Sequence, residues 1–180
     1  MVFYNQASYG FNDYFTMGVG TVPIFFVGVP SPVWITPKVS IPIIPNKLNA
    51  GAGVLAATLL GYNSEAQLPL FGIGYGVVTY GSRDNNFNVG VGYGYADGDW
   101  TSNPIFNVGF MIRATRRTYL VSENWILPSE HQTIGLIMLG GRTVWPQILL
   151  DYGIVVPAGG GIFIGIPWIG IAVPFEGTIE

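Results

Sequence analysis

Large apolar residues recur at every second position along most of this chain. Between Asn86 and Ala96, Phe87, Val89, Val91, Tyr93 and Tyr95 alternate with Asn86, Asn88, Gly90, Gly92, Gly94 and Ala96. Successive side chains of a strand face opposite sides, so this segment predicts a strand with one bulky apolar face and one small, polar-tolerant face. Phe71, Ile73, Tyr75 and Val77 alternate in the same way with Gly72, Gly74 and Gly76, and Phe15, Met17 and Val19 with Thr16, Gly18 and Gly20. Val33, Ile35, Val39, Ile41 and Ile43 alternate with Trp34, Thr36, Lys38 and Ser40, and Phe106, Val108, Phe110 and Ile112 with Asn107, Gly109 and Arg113. Eleven strands are predicted, over residues 2–10, 14–26, 33–43, 48–60, 68–80, 86–96, 104–114, 118–127, 132–139, 144–155 and 162–175. Several reach the roughly 9–11 residues that a tilted membrane strand needs, beyond the usual soluble length of about five or six. The segment 118–127 carries apolar residues on both faces.

The small face of these strands holds mainly Gly, Asn and Ala, where the water-facing side of a soluble sandwich would carry Lys, Glu and Thr. In a membrane barrel the bulky face meets lipid and the small face lines a crowded lumen. Composition agrees. Only 9% of the residues are charged, against about 25% in an ordinary soluble domain. No apolar run of helical-span length exists; the most apolar stretch, Ile162 to Val173, is broken by Gly165, Pro167 and Gly170. Closed strands are the other architecture a bilayer permits. The expected fold is therefore all-β: an up-and-down antiparallel transmembrane β-barrel of about 10–12 strands in one domain, 1–180.

The connections sort by charge. Asn12-Asp13, Pro45-Asn46-Lys47, Ser82 to Asn85, Thr115-Arg116-Arg117 and Gly140 to Thr143 read as tight turns at one end, and hold Lys47, Arg83, Arg116, Arg117 and Arg142 against Asp13 and Asp84. The intervening connections, at 28–32, 61–66, 97–103, 128–131 and 156–161, carry no Lys or Arg and hold Glu65, Asp97, Asp99 and Glu130. Short periplasmic turns facing longer outer loops are the asymmetry expected of outer-membrane barrels. An odd strand count is not, because bacterial single-chain barrels have even numbers. One strand missing upstream of Met1 accounts for it, as does a true count of ten; separately, Met1 to Gly10 carries no secretory signal, which an exported protein needs.

Gly72-Ile73-Gly74-Tyr75-Gly76, Gly92 to Trp100 and Val121-Ser122-Glu123-Asn124-Trp125 resemble segments of uncharacterised, porin-like outer-membrane β-barrel proteins of the Bacteroidetes group. The resemblance spans most of the chain. It implies location in the bacterial outer membrane, contact with membrane lipids and assembly by the outer-membrane assembly machinery, and it brings no catalytic residues. Ile169, Ile171, Val173 and Phe175 resemble the aromatic-ended assembly signal of such barrels, although the chain runs on to Glu180.

Candidate chemistry is sparse. Without cysteine, thiolate metal sites and cysteine catalysis are excluded. The net charge of −3 gives no footprint for nucleic acid. Gly51-Ala52-Gly53-Val54-Leu55-Ala56 fits the dinucleotide fingerprint in letters, but it lacks the following helix and the acidic residue about 20 positions on, and small lumen-facing residues explain it better. No metal or cofactor is expected. Ser129 and His131, with Glu130 between them, are the weak catalytic candidates for a lipid-modifying hydrolase at the loop end; a solvated turn is the plainer reading. Lys38 and Arg113 alternate onto the small face, where Glu123 and Asp151 are placed to pair with them as a charged constriction or an internal plug. Trp34, Trp100 and Trp125 fall towards the loop end and Trp145 towards the turn end, as interfacial girdles or as general packing. The function expected is a porin-like channel or structural barrel with a narrow lumen and no enzymatic activity, against a hydrolase or a soluble or fibrous Gly/aromatic β protein.

Overall fold

The computed structural model describes residues 5–22, 30–60, 69–128, 133–159 and 164–173. These form one antiparallel sheet, with no helix among them. Its strands are β1 (Asn5–Gly10), β2 (Phe15–Thr21), β3 (Ser31–Ile44), β4 (Leu48–Leu60), β5 (Phe71–Gly81) and β6 (Asn85–Ala96). They continue as β7 (Asp99–Trp100), β8 (Ile105–Arg113), β9 (Thr118–Pro128), β10 (Thr133–Trp145), β11 (Ile148–Ala158) and β12 (Ile166–Ala172). Each long strand pairs with the next, which is the up-and-down order that the alternation predicts. The eleven predicted strands correspond to all of these except β7. That two-residue strand folds back on β6 through Asp97 and Gly98, both at positive φ (48° and 110°), the geometry of a two-residue hairpin turn.

The expected closure is not seen. β1 and β12 are the edges of the sheet and do not pair with each other, so among the described residues the sheet is open. It is nevertheless strongly curved: Lys38 of β3 and Glu123 of β9 line one cavity although four strands separate them in the sheet.

The two faces differ as the alternation predicts, with one strand out of phase. On the convex face Val19, Ile35, Val54, Val89, Tyr93 and Ile137 are exposed. Ala57 is the only buried apolar residue among those described, so the sheet has no core of the soluble kind. The chain exposes 12138 Å², against about 8,500 Å² for a compact soluble monomer of its mass. In β5 the bulky residues, expected on the lipid side, turn to the concave face. Tyr75 pairs with Gly92 and Val77 with Gly90 on that face, while Gly74 pairs with Tyr93 and Gly76 with Val91 on the convex one. Large residues of one strand thus lie beside glycines of the next on both sides of the wall.

A second correction concerns β10. Gly140 to Thr143, expected as a turn, lies inside this strand, and the chain reverses instead at Pro146-Gln147. Proline has no N–H for the ladder and a fixed φ, which suits it to the reversal rather than the strand. Arg142 consequently sits in the wall and not in a turn. The ambiguous strand β9 resolves by register: Val121, Glu123 and Trp125 share the concave face, while Leu120, Ser122, Asn124 and Ile126 share the convex one. The polar pair on the convex side is turned back onto the backbone. Ser122 Oγ donates to Met138 O at 2.9 Å, and Asn124 Nδ2 donates to Val108 O at 3.1 Å.

Candidate functional site

The site is a cavity of about 350 Å³ on the concave face, bounded by β3, β4, β5, β6, β8 and β9. Glycines of β4 lie beneath two of its lining side chains. A side-chain carbon on Gly53 would stand 2.7 Å from the Tyr75 hydroxyl, and one on Gly51 would stand 3.7 Å from Lys38 Cε. The absence of a side chain at Gly53 is what lets the Tyr75 ring lie across the wall, while at Gly51 the Lys38 stem lies at ordinary contact distance. The nucleotide-like spelling of this segment is therefore a strand spelling: residues 51–56 all lie within β4, and the concave partners of its glycines are Lys38 and Tyr75 for Gly53 and Ser40 and Val77 for Gly51.

Glu123 is fixed on the opposite wall. Its Oε1 accepts from Trp125 Nε1 at 2.9 Å and from Asn107 Nδ2 at 3.5 Å. Among the described residues Oε2 has no hydrogen-bond partner, and the carboxylate lies within electrostatic reach of the Tyr75 hydroxyl. Thr36, Thr79 and Asn88 add neutral polar groups, and Leu55, Ile73 and Ile105 add apolar surface. The lining is amphipathic and carries one positive and one negative side chain.

The four charges expected to face one another in the lumen are sorted differently. Asp151 pairs with Arg142, its cross-strand neighbour, at 2.7 Å. Arg113 ends β8 at the turn end, exposed, and pairs with Asp84 at 2.6 Å. Its guanidinium also donates to Thr115 O and Arg116 O at 3.3 and 3.0 Å, and Tyr119 Oη donates to Asp84 at 2.9 Å. Hydrogen bonding from Tyr119, followed by the Arg113 bond and the charges of Arg113 and Arg83, holds the Asp84 carboxyl below the usual carboxylate range against an opposing desolvation. Lys38 and Glu123 remain in the cavity, and neither forms an ion pair among the described residues. The expected pairing fails because Arg142 was assigned to a turn: once it enters the wall, Asp151 has a nearer cation.

Ser129 and His131 lie outside the described residues, as do Glu65, Glu130 and Phe175. No three side chains of metal-ligating type gather among the described residues. The tryptophans divide. Trp100 and Trp145 are exposed at opposite ends of the sheet, and Trp100 reaches Gly74 on the convex face. Trp34 and Trp125 turn inward, contrary to a girdle role: Trp34 covers Gly20 and donates to Gln6 at 3.3 Å, and Trp125 lines the cavity. Tyr75 and Asn107 are the site residues that the alternation did not single out. Asn107 sits among small-face residues without a charge to mark it, and Tyr75 was assigned to the lipid side.

Comparison with family models, with curated proteins and with solved structures gave no match.

Proposed function

We propose that this chain forms the wall of a bacterial outer-membrane β-barrel of porin-like type, with a narrow amphipathic lumen on its concave face. The observation that carries this reading is the inversion of the usual soluble arrangement. Large apolar side chains are spread over the convex face, and polar groups and the cavity are gathered on the concave one. Burying such a convex surface is favourable by roughly 25 cal/mol per Å², and a bilayer offers that burial without a protein partner. The inward turn of Ser122 and Asn124 onto backbone carbonyls supports the same reading, since unsatisfied polar groups are costly in hydrocarbon. So does the charge asymmetry, with Lys47, Arg83, Arg116 and Arg117 at the short-turn end. Membrane lipids and the outer-membrane assembly machinery are the partners this reading implies, and it extends to the resemblance with Bacteroidetes barrels.

Reconstitution tests it. Purified full-length chain is expected to require detergent for extraction, to insert into planar bilayers and to give discrete conductance steps. Solubility without detergent would overturn the proposal in favour of a soluble sheet-on-sheet protein. Inserted protein without conductance would make it a structural barrel.

A further inference from the structure

We infer that the cavity between Lys38 and Glu123 is a binding site for a small zwitterion: a molecule bearing one carboxylate and one ammonium, of the free amino acid class. The inference rests on the reading of the concave face as a lumen, and it adds the kind of solute that the lumen holds.

Three observations lead to it. First, the cavity carries two opposite charges on walls four strands apart, and neither is neutralised by the protein among the described residues. The two ion pairs seen among the described residues are closed at 2.6 and 2.7 Å. Glu123 is half-buried and Lys38 is exposed, so the desolvation falls on the carboxylate, and a solute that supplies both complements satisfies both charges at once.

Second, the negative charge is held in place. Glu123 Oε1 is occupied by Trp125 Nε1 and Asn107 Nδ2, which orients the carboxylate and leaves Oε2 for a donor. Such preorganisation lowers the ordering cost of binding.

Third, the size and sum are right. The volume of about 350 Å³ falls at the small end of the roughly 300–1,000 Å³ range of small-molecule sites. The lining charges cancel, so a simple anion meets repulsion from Glu123 and a simple cation meets repulsion from Lys38. A neutral sugar would use Tyr75, Trp125 and the amides but leave both charges unmatched.

Calorimetric titration of the folded full-length chain in detergent micelles tests the site without requiring conduction. L-Alanine is expected to bind saturably. Equimolar acetate plus ethylammonium, and glucose, should bind at least about tenfold more weakly. Lys38→Met and Glu123→Gln should each weaken alanine binding by about tenfold or more. The charge exchange Lys38→Glu/Glu123→Lys should recover it, because a zwitterion can bind reversed; this variant also separates loss of charge from loss of fold, with circular dichroism as the check. Glucose binding in preference to alanine would overturn the proposal, as would alanine binding indifferent to both single variants. Bilayer insertion is read in parallel: chain that inserts but does not bind alanine defeats the zwitterion site alone, and chain that fails to insert defeats the membrane reading.

Discussion

Arg142 and Asp151 stand directly opposite each other on β10 and β11, and the guanidinium spans both carboxylate oxygens at 2.7 and 2.8 Å. The pair is partly exposed, so its net contribution is that of a well-aligned bidentate bond and not of a fully buried bridge. Asp151→Asn should lower unfolding stability by about 1 kcal/mol, read from the urea midpoint in lipid vesicles. The apolar double variant Arg142→Met/Asp151→Leu should recover most of that loss, since removing both partners leaves no uncompensated charge.

Two glycines on opposite faces, Gly53 and Gly76, should respond differently. Gly53→Val places a branched side chain where the Tyr75 ring lies, and should cost about 1–3 kcal/mol. Gly76→Ala meets only Gly51 O at 3.9 Å and should be nearly neutral. Equal losses at the two positions would contradict the seating of the Tyr75 ring over Gly53.

Asp84 gives the turn end a pH dependence. Its carboxyl is held low chiefly by the Tyr119 hydroxyl, so the folded state binds its proton less readily than the unfolded state. The stability gained is present above the unfolded carboxylate value of about 3.9 and is lost as pH falls through the lower folded value. Tyr119→Phe should raise the Asp84 titration midpoint, followed by carboxyl NMR in micelles, and narrow this window.

Charge placed on the two faces of β6 should separate them. Val89→Arg puts a cation on the exposed convex side and should destabilise the inserted protein by roughly 2–4 kcal/mol near mid-depth. Asn88→Arg, beside it on the cavity side, should cost less and alter conductance instead. Similar losses at both would argue against lipid on the convex face.

Much of this sheet is legible in the sequence, because period two and turn residues are local signals. Phe87 through Tyr93 declare their face without help from a neighbour. The phase of β5 is less local. Phe71, Ile73, Tyr75 and Val77 alternate just as well, yet point the other way. The hairpin at Ser82–Asp84 pairs Gly81 with Asn86, so odd residues of β5 meet even residues of β6. Since Phe87 and Val89 are outward, Tyr75 must be inward; the length of one turn carried information that the strand pattern did not. Lys38 was legible on the small face, whereas Glu123, in a strand apolar on both faces, could be placed there only as a partner for it. That both lack an ion pair among the described residues was not legible, because it depends on Asp151 having Arg142 as its partner, and so on where a single turn closes.

The strand count has a directional consequence. Among the described residues, eleven long strands that reverse one after another leave β1 and β12 running the same way. A seam made by these two alone would be a parallel ladder, with the slanted bonds of that geometry. Each strand inserted between them reverses the sense once, so an odd number of further strands gives a ring that is antiparallel throughout.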